Sequence, residues 1–177
     1  VILATGGTPM VRAAYGSGNP AIGVGSGNVP VYVDASADIE TAAKTIVVDK
    51  NFDHGSPCSA PSVLLLNASI AAQMQQALAH QGAHVCTEEE TQKIQNHAFP
   101  GGKFNGKVVG RPAFEIAQAA GVQVPVDCQA LVCPVANPQA GHVMFKEKLS
   151  PILGCVVVPS MDQAIEVARL MLQHSGA

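Results

Sequence analysis

The densest chemistry in the sequence lies in Asn51-Phe52-Asp53-His54-Gly55-Ser56-Pro57-Cys58-Ser59. A thiol stands there four residues after an imidazole, in a run punctuated by Gly and Pro, so Cys58 is predicted on a loop. A loop thiol whose pKa is lowered can act as a nucleophile toward a carbonyl carbon, although spacing alone does not turn His54 toward it. Structural cysteines usually sit inside apolar runs, as Cys155 does in Leu153-Gly154-Cys155-Val156. The five cysteines (Cys58, Cys86, Cys128, Cys133 and Cys155) are odd in number and contain no CxxC pair, which argues against a disulfide framework. Cys128 and Cys133 are five apart and His84 and Cys86 two apart; neither is a zinc-finger spacing, so reduced thiols and no metal are expected.

Two glycine-bearing segments are candidates for close approach to a ligand. Ala4-Thr5-Gly6-Gly7-Thr8-Pro9 is predicted to end a strand and open a helix, a geometry that offers free N–H groups to an anion or a polar ligand. The run Ala21–Asn28 contains G-x-G-x-G, but a strand rather than a helix is predicted to follow, so the dinucleotide fingerprint is incomplete. That run reads first as a tight structural turn. Lys146-Glu147-Lys148-Leu149-Ser150-Pro151 by itself reads as a solvated loop before the last apolar strand. His80, His84, His97, His142 and His174 fall on polar helix faces or near helix ends and are expected to be exposed or locally bonded.

The elements that must hold these residues alternate between short β-branched runs and amphipathic stretches. Strands are predicted at Val1–Ala4, Ala21–Val24, Val29–Val33, Val63–Leu66, around Val85, at Ala130–Val135 and at Ile152–Val158. Helices are predicted from Pro9, over Ala37–Lys50 with Ser36 as cap, over Ala68–His80, from Thr87 with Glu88, Glu89 and Glu90 in its first turn, over Pro112–Ala120 and over Met161–His174. Phe99–Val109, with Pro100 and three glycines, is predicted as a loop. The alternation predicts an α/β fold, three layers αβα around a largely parallel sheet.

Composition sets the outer limits. The 177 residues suffice for one domain. Charged residues are only 13%, about half the usual share of roughly 25%, so part of the surface is expected to serve as an interface. A net charge of −3 gives no basic field for nucleic acid, and no apolar run approaches the roughly 18 residues of a membrane helix. The chain opens on Val1 in a strand-like run, so it is expected to be an excised piece of something longer, without a signal peptide.

Four of these segments, in this order, resemble the CoA-acylating branch of the aldehyde dehydrogenase superfamily, and most closely the aldehyde dehydrogenase half of the bifunctional aldehyde-alcohol dehydrogenases. They are Ala4-Thr5-Gly6-Gly7 with Met10-Val11; Ala13-Ala14-Tyr15 followed by Pro20–Gly25; Phe52-Asp53 with Gly55 and Cys58; and Glu147-Lys148-Leu149-Ser150-Pro151. Val109-Gly110, Pro112-Ala113 and Ala117–Gly121 add weaker support, and the resemblance covers essentially the whole chain. It implies that residues 1–177 are the Cys-bearing catalytic domain of that fold, with the nucleotide-binding domain and a C-terminal remainder lying outside the sequence. It implies further that Cys58 is the nucleophile, that NAD or NADP is the hydride acceptor, that coenzyme A takes the acyl group, and that a small aldehyde is the substrate. Thr5, Gly6 and Gly7 would lie against the cofactor, and Glu147 would contact the ribose near the nicotinamide. The family implies a cytoplasmic homo-oligomer, in some settings inside a protein shell, and no metal.

One departure from the wider superfamily is informative. Hydrolytic members carry a Glu-Leu-Gly-Gly motif whose Glu activates water, and here the stretch is Gly23-Val24-Gly25-Ser26, without a carboxylate. Water attack on a thioester should then be slow, whereas a thiol acceptor needs less help. His54 stands where the close relatives tend to carry Asn and is not assigned as a base. Hydrolytic or semialdehyde dehydrogenase chemistry, and a non-catalytic assembly or binding domain, are the competing readings.

Overall fold

The computed structural model of the chain describes residues 1–25 and 27–173. Ser26 of the glycine-rich turn, His174 at the expected end of the last helix and the closing Ser175-Gly176-Ala177 lie outside the described residues.

Five strands form one all-parallel sheet: β3 (Val29–Val33), β4 (Pro61–Asn67), β5 (Ala83–Val85), β6 (Ala130–Pro134) and β7 (Ile152–Val158), in the order β3-β4-β7-β6-β5. A parallel sheet covered on both faces reads as continuous apolar sequence, and Pro61–Leu66 of β4 are all buried. The side-chain period of two sorts each strand between two cores. Val63 and Leu65 join Leu131, Cys133, Val156 and Val158 on one face. Leu64 and Leu66 join Val33, Ala130, Val132, Leu153 and Cys155 on the other. The first face is covered by α4 (Glu88–Ala98), α5 (Ala113–Ala120) and α6 (Met161–Gln173), the second by α2 (Ile39–Asn51) and α3 (Ala71–His80). This is the expected three-layer αβα arrangement.

The first two strands do not join that sheet. β1 (Ile2–Thr5) and β2 (Ala21–Val24) pair in parallel with each other and enclose α1 (Thr8–Tyr15). Gly23 is required there: a Cβ would lie 2.5 Å from the Val11 side chain and 3.0 Å from the Tyr15 ring. The opposite face of this ribbon presents Leu3, Ile22 and Val24 to solvent.

Two helix starts differ from the sequence reading for the same reason. Ser36 does not cap α2, because the Asp34 carboxylate accepts from Ser36 N–H at 3.0 Å and from its hydroxyl at 2.7 Å, which holds Ser36 in a turn. Asp38 caps instead, its carboxylate accepting from Thr41 N–H. Asn67 captures Ser69 in the same way, so α3 begins at Ala71 rather than Ala68. The Thr87 start is as read, a capping box with Glu90. Within Phe99–Val109 the chain forms two 3-10 turns, and Phe99 and Val108 are buried in the core.

Candidate functional site

Cys58 stands on the connection from α2 to β4. The helix ends in a 3-10 turn, Phe52–Gly55, in which Asp53 (φ 46°), His54 (φ 50°) and Gly55 (φ 70°) are consecutively left-handed. Such backbone costs of order 1–3 kcal/mol per non-glycine residue and persists only where the surroundings enforce it. Gly55 shows the enforcement: a Cβ would lie 2.6 Å from the backbone of Ser150. Ala60 N–H then bonds Pro57 C=O at 3.0 Å, which places Cys58 and Ser59 at the tip of a turn. Cys58 is exposed, while Cys86, Cys128, Cys133 and Cys155 are buried. Burial holds the Cys128 thiol above its ordinary range and pushes Cys155 up to about 12. The hydrogen bond to Cys86, together with burial, raises Cys133 well above it. Cys58 is therefore the thiol open to reaction, and its N–H bonds to no group among the described residues.

Cys58 borders a small, shallow cleft shared with Gly27, Lys50, Ser62, Glu147 and Lys148. The loop fits because Gly27 has no side chain: its Cβ would lie 3.1 Å from the Cys58 carbonyl. Glu147 is half-buried, and its Oε1 is buried without a hydrogen-bond partner among the described residues. Burial raises its carboxyl pKa, opposed by the positive charges of Lys148 and Lys50. Lys50 is 2% exposed, and burial lowers its pKa to about 7 against the attraction of Glu147. Lys148 is also buried, at 1%, and burial with Lys50 beside it lowers its pKa well below the usual lysine value.

The solvated-loop reading of Lys146–Pro151 is thus corrected: the run is a strap packed under the Cys58 turn. Sequence reasoning missed both buried lysines. For Lys50 a signal exists, since Ala43, Ile46, Val47 and Lys50 are the buried positions of α2 and follow the i, i+3, i+4, i+7 spacing of a core-facing stripe. For Lys148 no periodicity exists, because the strap is neither helix nor strand.

The structure brings Cys58 and Glu147 together and keeps Thr5, Gly6 and Gly7 apart from their cleft. Those three lie at the carboxyl end of β1, where Gly7 starts α1 without a side-chain cap. Gly6 N–H bonds Val24 C=O at 3.1 Å, tying this turn to the end of β2. His54 Nδ1 is buried without a partner. Of the other histidines, His84 bonds Glu90 at 3.1 Å and His142 accepts from Met144 N–H at 3.2 Å, local bonds of the expected kind. His84, Cys86 and Glu90 place ligand atoms within 4.8 Å of one another, but the Glu90 carboxylate is already engaged by Thr87 N–H and His84.

The chain is 35% identical over 176 residues to a bifunctional aldehyde-alcohol dehydrogenase of Escherichia coli, covering 99% of this chain and 20% of that protein. An acetylating aldehyde dehydrogenase structure from Geobacillus thermoglucosidasius superposes with a TM-score of 0.93 at 41% identity, covering 99% of this chain and 39% of that one. A sulfoacetaldehyde dehydrogenase (acylating) of Bilophila wadsworthia is 34% identical over 158 residues, covering 86% of this chain and 34% of that protein. The propionaldehyde dehydrogenase of Rhodopseudomonas palustris has been solved with bound CoA and an acylated cysteine. Against this acylating enzyme the TM-score is 0.86 at 31% identity, over 97% of this chain and 39% of that one. No family model matches the chain. The chain thus spans about two fifths of the solved acylating dehydrogenases and a fifth of the bifunctional one. No helix among the described residues is long and apolar enough to cross a membrane.

Proposed function

We propose that these 177 residues are the Cys-bearing catalytic portion of an NAD(P)-dependent, CoA-acylating aldehyde dehydrogenase. The observation that carries this reading is the one exposed thiol, Cys58, held at the tip of a strained turn over the Glu147 cleft.

In the first step the Cys58 thiolate attacks the aldehyde carbon. A C–S bond forms, and the carbonyl oxygen becomes an oxyanion that the free Cys58 N–H is placed to receive. A bound nicotinamide cofactor would supply the hydride acceptor for that carbon, leaving a thioester on Cys58. Glu147, through its Oε1, and the Thr5-Gly6-Gly7 turn would hold that cofactor. The thiolate of coenzyme A then attacks the thioester carbon and expels the Cys58 thiolate, releasing acyl-CoA. No carboxylate occupies Gly23-Val24-Gly25-Ser26 to activate water, so the thiol acceptor prevails over hydrolysis. The substrate is a small aldehyde, and the low charge content supports self-association of the whole protein.

The test is NADH formation by the full-length protein with a panel of short aldehydes, with and without coenzyme A, beside its Cys58→Ser form. Activity requiring both CoA and Cys58 is expected. Activity without CoA would assign water as the acceptor. Absence of any Cys58-dependent activity would move the chain to a binding or assembly role.

A further inference from the structure

Lys148 makes three hydrogen bonds that no surface lysine would need. Its Nζ donates to Ser62 Oγ at 3.0 Å, to Met144 C=O at 2.8 Å and to Lys146 C=O at 3.0 Å. Ser62 lies in β4, four residues beyond Cys58 on the same connection. The Met144 carbonyl belongs to the 3-10 turn Val143–Phe145 that leads into the strap and the Lys146 carbonyl to the strap itself, and the bond to Lys146 closes a ring around the single intervening residue, Glu147. The rest of the strap is tightly held. Asn28 Nδ2 donates to Phe145 C=O, and Gly110 N–H donates to Leu149 C=O at 3.0 Å. Leu149 itself is left-handed, with φ 44°.

We infer that Lys148 is a positioning residue that fixes the Glu147 carboxylate against the Cys58 turn. Burying an amine is costly unless its donors are used, and here each acceptor lies on one of the two segments that must be kept in register. An apolar side chain of the same length would fill the space but leave the Met144 and Lys146 carbonyls unpaired under the cleft. The strap would then shift to re-satisfy them, and Glu147 would move with it. Cys58 is anchored separately, by the left-handed turn and by the Ala60–Pro57 bond, so Lys148 governs Glu147 more than it governs the thiol.

The consequence for catalysis rests on the function proposed above; the consequence for the strap does not. The experiment compares the full-length protein with Lys148→Met and, as a milder variant, Ser62→Ala. Three quantities are measured: amide exchange of peptides spanning residues 143–150, the KM for NAD, and the rate of Cys58 alkylation by iodoacetamide. In Lys148→Met, strap exchange should accelerate at least tenfold while β4 and β7 exchange as before. The KM for NAD should rise about tenfold with kcat reduced less, and alkylation should stay within about twofold. Ser62→Ala, which removes one bond of three, should move the strap in the same direction by less. Strap exchange unchanged in both variants would overturn the inference whatever the activity does. Unchanged KM in the presence of a loosened strap would overturn the link to Glu147. If the parent protein oxidises no aldehyde, the function proposed above fails, and the exchange measurement still decides the positioning role. If Lys148→Met does not fold, the exchange and KM of Ser62→Ala decide.

Discussion

Lys50 and Lys148 carry two amines into a part of the molecule lined also by Gly27, Gly55, Cys58, Ser62 and one carboxylate, Glu147. Both are almost wholly buried, and the Glu147 carboxylate offsets each of them. For Lys50 the direction of the pH effect follows from its folded pKa of about 7, below the ordinary value of 10.5. Between those values the unfolded chain binds a proton that the folded chain does not. Stability therefore rises with pH through that window, and the penalty is greatest below about pH 7. Lys50→Met removes the group and the penalty. Its Tm should exceed that of the parent at neutral pH and below, with the difference shrinking toward about pH 10; thermal unfolding across that range measures it. A variant less stable at every pH would mean that Lys50 contributes more through Glu147 than burial costs. Cys58 is a different kind of residue: it buries little, and its place is set entirely by the turn beneath it.

At the scale of elements, the turn between α2 and β4 does the positioning. Gly55 is the point where it presses on the strap, with no room for a Cβ and a backbone at φ 70°. Gly55→Ala should cost at least about 2 kcal/mol and should impair Cys58 chemistry beyond what the stability loss explains. Denaturant unfolding beside aldehyde-dependent NADH formation would show it; wild-type stability in both would contradict the packing described. The same scale shows what the sequence could and could not reveal. The strand Ile152–Val158 was legible residue for residue, because a run of seven consecutive residues without a polar side chain, six of them buried, leaves little choice of boundary. The start of α2 was not, because two residues two positions apart, Ser36 and Asp38, could each cap a helix, and the choice depended on Asp34 claiming the first. In the candidate site, Cys58 was legible from its Gly- and Pro-rich setting, and Glu147 only through resemblance. Lys148 was hidden in a charged run whose burial depends on Ser62, eighty-six positions away.

At the scale of the whole molecule, the chain is a five-stranded core with a separate β1–α1–β2 ribbon that carries the Thr5-Gly6-Gly7 turn. A two-stranded parallel ribbon has little independent stability, and Leu3, Ile22 and Val24 leave one of its faces without packing. In the 177-residue chain alone, amides of β1 and β2 should exchange at least about a hundredfold faster than those of β4 and β7. Equal protection of both sheets would show that the ribbon is held by the core after all. The same chain alone is expected to fold without turning over, since it spans only about two fifths of the solved acylating dehydrogenases.

The central claim is that Cys58 carries the acyl group, and intact-mass spectrometry tests it directly. The full-length protein is incubated with a short aldehyde and NAD, without coenzyme A. The account predicts a single acyl adduct that maps to Cys58, is absent from Cys58→Ser, and disappears on addition of coenzyme A as acyl-CoA is released. An adduct on one of the buried cysteines, or no adduct alongside steady NADH formation, would contradict it.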